Sequence, residues 1–333
     1  MGMFIALADT LGVDRTKLRG QVNNDPWTRY TGFKCPQFLP DAAMRVSVDC
    51  IKFCAKNAPN INAHYVGAYN VRDNGVNCIQ ELGWAVTNAM EVIRHCLKAG
   101  IDIDDPSLSF PFFFGVGSNF FEEIAKLRAA RRIWAHIMKD KFGAKNKKNW
   151  RMKIMVQNLG STLTAAEPLN NIGRIAIQAV AMALGGVQGI STDSYDEGLC
   201  IPTDEAVRIA VKTTKIIEEE TGVMDVADPL GGSYFVESLT AEMERRVWKY
   251  IDKVESQGGA LACHKNGHFQ KEQNEAILKT LNDLQTGKKI VVGVNKYVED
   301  EPIAVPTFHW NSDMEEIAKA RLRQLREERD SAA

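Results

Sequence analysis

The sequence predicts an α/β protein built on parallel strands, of the (β/α)8 TIM-barrel type. Three observations carry this. Short apolar segments alternate along the chain with runs of helical length. Polar residues, glycines and acids crowd the places where those segments end, as in QNLGSTLTAAEPLNNIGR from Gln157 and GGVQGISTDSYDEGLCIPTDEAVRIA beyond it. A helix-forming run follows each such end. Strand tips dressed in this way are where a parallel barrel carries its chemistry.

Taken in order, residues 3–18 read as an amphipathic helix and QVNN (21–24) as a short strand ending in amides. Residues 41–57 read as a helix. NAHYVGAY (62–69) reads as a strand, followed by a polar loop, NVRDNG, and a long helix over 77–99. SFPFFFGVG (109–117) is a buried strand and 119–142 an amphipathic helix. A basic turn at 145–149 leads to the strand MKIMVQ (152–157), then a helix over 168–184, the strand VQGIS (187–191) and a helix over 204–221. Five strand–helix units therefore begin near residues 21, 62, 109, 152 and 187, where a closed barrel takes eight. After residue 222 the pattern changes. DPLGGSYFVESLT is a turn-rich connector, and helices follow at 238–256 and 269–285. KKIVVGVNKY (288–297) reads as a strand-like return, and 312–330 as a charged helix. The expected division is a barrel part, 1–222, and a helical C-terminal extension, 223–333.

Composition bounds the function. A chain of 333 residues with 45% hydrophobic and 25% charged residues is an ordinary globular protein. Its formal charge of −1 offers nothing to nucleic acid or to an anionic membrane surface. No apolar run approaches the ~20 residues of a membrane span. Seven scattered cysteines argue for reduced thiols and a cytoplasmic location. Cys50 with Cys54, and Cys263 with His264 and His268, lack further ligands, so no metal site is expected. FGVGSNFFEE has two glycines before a helix but not the third glycine of a dinucleotide loop.

The quoted stretches, together with LRGQVNND, YVGAYNVRDNG, SNFFEEIAKLRAARRIWA and VVGVNKY, resemble a known family over nearly all 333 residues. It is the substrate-binding subunit of the adenosylcobalamin-dependent acyl-CoA mutases, the methylmalonyl-CoA and isobutyryl-CoA mutase family. The resemblance implies the last five units of the barrel, strands four to eight. Three strands and an N-terminal segment would come from a longer gene product or from another polypeptide. No Asp-x-His-x-x-Gly occurs, so the cobalamin-binding domain is expected on a separate small subunit, with acyl-CoA as substrate and a hetero-oligomer as the assembly.

The same resemblance implies site residues. Glu197 matches an acid that binds the adenosyl ribose, and Asp193 stands where the family has an asparagine touching the adenosine. Read as residues alone, both are also suited to capping the helix that follows. Gln157 matches an amide facing substrate and cofactor, and Tyr69 a tyrosine beside the reacting carbons that displaces the adenosyl group. Read alone, the first is a strand-end amide and the second a core or interface tyrosine. Arg72 would reach the corrin or stay in solvent. Gly115 and Gly117 would let the backbone approach the corrin.

The substrate side departs from the family. Its carboxylate-binding arginine is Phe33 here, with Lys34 and Arg29 nearby in sequence. Its catalytic histidine is Asn70, which can still donate to a thioester carbonyl but cannot act as an acid. A second histidine is Met155, an amide is shortened to Asn23, and a CoA-side arginine and serine are Ser109 and Pro111. A phenyl ring cannot pair with a carboxylate, so methylmalonyl-CoA is not the expected substrate. Two functions fit this pattern. One is a mutase retuned to another acyl-CoA; the other is a catalytically silent paralogue serving as scaffold or partner subunit. A lyase or NAD-linked barrel enzyme fits less well, because no strand end carries a lysine and no nucleotide fingerprint is present.

Overall fold

The computed structural model describes residues 1–300, 304–311 and 313–330. Helix α1 (Gly2–Thr10) is shorter than the predicted 3–18. Gly12 takes a left-handed conformation (φ +67°), and Asp14 caps a separate 3-10 turn by accepting from Thr16 N at 2.9 Å. Strand β1 (Gly20–Gln21) follows. Helix α2 (Pro26–Thr31) was not predicted, although Asp25 as cap and Pro26 in the first turn are its start signals. Helix α3 (Pro40–Asn57) lies as expected.

The single strand predicted over 62–69 is two. β2 (Ile61–Asn62) pairs with β1, and β3 (Val66–Gly67) with the next strand along. Asp25 accounts for the interruption by drawing β3 toward α2. Its buried carboxylate accepts from Trp27 N at 2.9 Å, from Thr28 Oγ1 at 3.0 Å and from Gly67 N at 2.7 Å. The predicted polar loop NVRDNG is largely helix α4 (Tyr69–Asp73). Then come α5 (Cys78–Lys98), started by an Asn77–Gln80 capping box, and β4 (Pro111–Val116). Helix α6 (Phe120–His136) runs on into a π-helical turn, Ile137–Lys141, and α7 (Lys147–Trp150) occupies the basic turn. Strand β5 (Lys153–Asn158), α8 (Asn170–Leu184), β6 (Gly189–Ser191) and α9 (Asp204–Glu220) complete the alternating part.

Every ladder between these strands is parallel. The order is β1-β2 in one sheet and β3-β4-β5-β6 in the other. Along β5 the residues alternate. Ile154, Val156 and Asn158 are buried, whereas Lys153 and Met155 are exposed and Gln157 half-buried. One face of the sheet therefore seals the core under the helices and the other faces open space. Register sets the open face in rows: Phe113, Met155 and Gly189 side by side, then Gly115, Gln157 and Ser191 nearer the strand tips.

Helix α10 (Tyr234–Ser256) packs on α5 and α6, and its Val236, Val247, Ile251 and Val254 join the core formed by Phe112, Phe114 and Trp134. The C-terminal helices thus share the hydrophobic interior of the alternating strand–helix part. Helices α11 (Ala260–Lys265) and α12 (His268–Gln285) follow. The strand-like return predicted at 288–297 is instead a turn-rich loop. One bridge, Val292 to Lys296, is its only ladder pairing among the described residues. Asn295 holds it by bonding to the carbonyls of Leu284 and Lys289. Helix α13 (Asp313–Glu328) is the charged terminal helix; Ser312 and residues 331–333, at the edges of its predicted segment, lie outside the described residues.

Candidate active site

The tips of β4 and β5, the start of α4 and the loop after β6 converge on Gly160. A Cβ at that glycine would stand 3.6 Å from Glu197 Cγ and 3.7 Å from both Asp193 Oδ2 and Tyr69 Oη. Gly160 N donates to Tyr69 Oη at 3.3 Å, and the tyrosine ring leans on Phe113 with centroids 5.3 Å apart. Gln157 joins the group by donating from Nε2 to Asp193 Oδ1 at 2.5 Å. Tyr69, Gln157, Asp193 and Glu197 thus lie together around Gly160, and the open-sided space they border is the chamber.

The chamber is acidic. Burial pushes the Asp193 carboxyl up to about 7, with repulsion from Glu197 and Asp73 adding to it. Hydrogen bonds from Gln157 and Asn158 offset only part of that rise. Burial, then Asp196 and Asp73, also raises Glu197. The Tyr69 hydroxyl is raised by burial, then by Asp193 and Asp73, so it remains protonated at any working pH. The Glu197 side chain makes no hydrogen bond among the described residues and is exposed.

Two residues of the chamber were missed by sequence. Asp73 lies one turn beyond Tyr69 on α4 and accepts from Ser161 N at 2.9 Å. Reading NVRDNG as helix would have placed it on the tyrosine's face. Asn158 is fully buried next to Gln157 and holds Asp193 by two bonds.

Asn70 follows Tyr69 at the start of α4. It packs against Gly32, where an added Cβ would come within 2.7 Å of Asn70 Cβ. Its side-chain amide makes no hydrogen bond among the described residues. Phe33, next to Gly32, is half exposed, and the Arg29 guanidinium sits 4.9 Å from its ring centroid. Asn23 accepts from Gln21 Nε2 at 3.1 Å and lines a small cavity of about 150 Å³ with Asp25, Arg29 and Tyr30. Met155 is exposed on the open face, in a groove of about 590 Å³ with Arg19, Gln21 and Asn62.

Four expectations are displaced. Arg72 turns inward rather than to a ligand or to solvent. Its guanidinium lies 3.2 Å from Glu123 Oε1 and 3.6 Å from Glu81 Oε2, and donates to Val76 O at 2.5 Å. Gly115 and Gly117 serve close packing within the chain. A Cβ on Gly115 would lie 2.2 Å from Leu159 Cδ2, and one on Gly117 would lie 3.1 Å from Glu123 Oε1. Ser109 is buried at the far end of β4, with its hydroxyl unpartnered and its carbonyl accepting from Lys153 Nζ at 3.2 Å. The physical reason for the first three is a buried ion cluster. Lys126 Nζ lies 2.7 Å from Glu81 Oε2 and 2.6 Å from Glu123 Oε2, and it also bonds Gly115 O. Gly115 N donates to Glu81 at 2.7 Å and Gly117 N to Glu123 at 2.8 Å, which fixes the tip of β4 from beneath.

Comparison with known proteins adds to this geometry. The profile of the family described as methylmalonyl-CoA mutase matches residues 1–333. The 2-hydroxyisobutanoyl-CoA mutase large subunit of Aquincola tertiaricarbonis is 36% identical over 333 residues, which is 100% of this chain and 59% of that protein. Methylmalonyl-CoA mutase of Cereibacter sphaeroides is 36% identical over 332 residues, 99% of this chain and 46% of that protein. The mitochondrial methylmalonyl-CoA mutase of Homo sapiens is 34% identical over 330 residues, 99% and 44% respectively. The chain spans about half the length of the curated relatives it matches. No helix among the described residues is long and apolar enough to cross a membrane.

Proposed function

The chain belongs to the methylmalonyl-CoA mutase family, and on that premise we propose that it forms the substrate-holding part of an adenosylcobalamin-dependent acyl-CoA mutase. The observation that carries the proposal is the meeting of Tyr69, Gln157, Asp193 and Glu197 around Gly160. Parallel strands in neighbour order, with an open inner face, support an arc of a (β/α)8 barrel whose remaining strands close the wall.

The donor set fits the adenosyl part of the cofactor. A ribose offers two neighbouring hydroxyls, and Glu197 presents a carboxylate with no partner among the described residues. The bound group would supply the radical chemistry that side chains cannot. The chain's own residues do the rest. Glu197 would accept the ribose hydroxyls, and Tyr69, braced on Phe113, would stand against the adenosyl group. Asn70 donates its free amide to the thioester carbonyl. Phe33 and Met155 are the exposed apolar side chains available to an acyl group.

The acyl group on this reading carries no free carboxylate, because Phe33 occupies the arginine position and the chamber is already acidic. The Aquincola relative, whose name specifies a hydroxylated branched acyl group rather than a dicarboxylic one, is in keeping with this. That relative is also a large subunit, which supports a small cobalamin-carrying subunit as partner. Free cysteines are in keeping with a reducing, cytoplasmic setting.

Anaerobic electron paramagnetic resonance of the full complex, loaded with adenosylcobalamin and offered a panel of branched acyl-CoAs, tests the proposal. A signal is expected with carboxylate-free substrates. Silence across the panel would overturn the enzyme reading, and a preference for methylmalonyl-CoA would overturn the role of Phe33.

A further inference from the structure

We infer that Asp193 is a positioning residue: clamped by Asn158, it holds the Gln157 carboxamide by Nε2, so that Oε1 is the atom offered to the chamber. The inference rests on the mutase reading for what fills the chamber, but not for its geometry. Asn158 is fully buried and grips Asp193 twice. Its Oδ1 accepts from Asp193 N at 2.7 Å, and its Nδ2 donates to Asp193 Oδ2 at 3.2 Å. The other carboxylate oxygen, Oδ1, is left pointing at Gln157 Nε2, 2.5 Å away. Ladder register sets Gln157 between Gly115 and Ser191, so its backbone has no freedom to swing the side chain elsewhere. Gln157 Oε1 makes no hydrogen bond among the described residues.

The chemistry follows from the residue type. A carboxylate only accepts, so an ionised Asp193 admits one orientation of the neighbouring carboxamide. An amide at position 193 could offer either its oxygen or its nitrogen and would leave Gln157 free to flip. Fixing Oε1 toward the chamber makes Gln157 an acceptor for a hydroxyl on whatever is bound, and leaves donation to a carbonyl to Asn70.

Protonation would undo the arrangement, because one carboxyl oxygen then becomes a donor and competes with Nε2. The charged and titratable groups that act on Asp193 are Glu197 in its own loop and Asp73 and Tyr69 on α4; Gln157 and Asn158 on β5 are neutral. Burial first, and then the two acids, favour the protonated form, and together they place the change near neutrality rather than near the usual carboxylate range. Gln157 is thus held above the transition and released below it.

The test uses the full protein labelled with 15N-glutamine, with the Gln157 side-chain resonance identified by its loss in Gln157→Leu. That resonance is expected to titrate between about pH 5.5 and 8.5, and to become flat in the near-isosteric Asp193→Asn. In turnover, Asp193→Asn is expected to lower kcat/KM by about tenfold and to remove the acid limb of the pH profile. A Gln157 resonance that stays still across this range, or titrates identically in Asp193→Asn, would overturn the inference. A titrating Gln157 in a protein without turnover would retain it and discard the mutase reading instead.

Discussion

Lys126 is a fully buried ammonium, and its surroundings decide what it is worth. Burial alone would drive it toward the neutral form, but Glu123 and Glu81 outweigh that and raise its pKa. Lys126→Met would strand two buried carboxylates with only Arg72 to meet them. The expected loss of stability is ~3–5 kcal/mol, by analogy with other broken buried pairs. Denaturant unfolding measures it, and a loss within error of zero would mean that the cluster relaxes or hydrates. The same cluster shows why part of the site was hidden in the sequence. Glu81 and Lys126 are 45 positions apart, and no local pattern joins them to Arg72 or to the glycines of FGVGS. Tyr69, Gln157 and Glu197, by contrast, stand in distinctive stretches near strand ends, and the family resemblance carried by those stretches singled them out.

At the level of elements, the joint between α5 and α10 depends on a missing side chain. A Cβ on Gly83 would lie 2.1 Å from Cδ1 of Tyr250, whose hydroxyl donates to Glu272 at 2.6 Å and cannot easily retreat. Gly83→Ala is therefore expected to cost ~1–3 kcal/mol despite the better helix propensity of alanine. A variant as stable as the parent would show that α10 can slide on α5. The long elements were readable because amphipathic spacing and caps agree, as with Asn77 and Gln80 opening α5. The break between β2 and β3 was not, because it follows from the reach of Asp25 across 42 positions to Gly67. Helix α2 was overlooked although its start signals are local. The stretch 288–297 is rich in β-branched residues, yet Asn295 folds it back on itself.

For the molecule as a whole, that folded stretch and Phe308 fasten the extension to α8 and to the loop after β6. Arg174 donates to Val292 O at 2.7 Å, and Phe308 N donates to Cys200 Sγ at 3.3 Å, close to Glu197. Gly293, at φ +77°, faces Glu167; a Cβ there would lie 2.8 Å from its carboxylate. Gly293→Val is expected to loosen this fastening locally and to speed limited proteolysis within 288–310 by about an order of magnitude, with little change in global unfolding. Unchanged cleavage would show that the glycine is dispensable.

The ion cluster beneath the tip of β4 has a further consequence. Arg72 and Lys126 are matched by Glu81 and Glu123, so the foundation contributes almost no net potential upward. The sign at the entrance is then left to Asp73, Asp193 and Glu197. On the mutase reading proposed above, that local charge disfavours an acyl group bearing its own anion at the reacting end, at a distance and before any contact with the walls, relative to a neutral one.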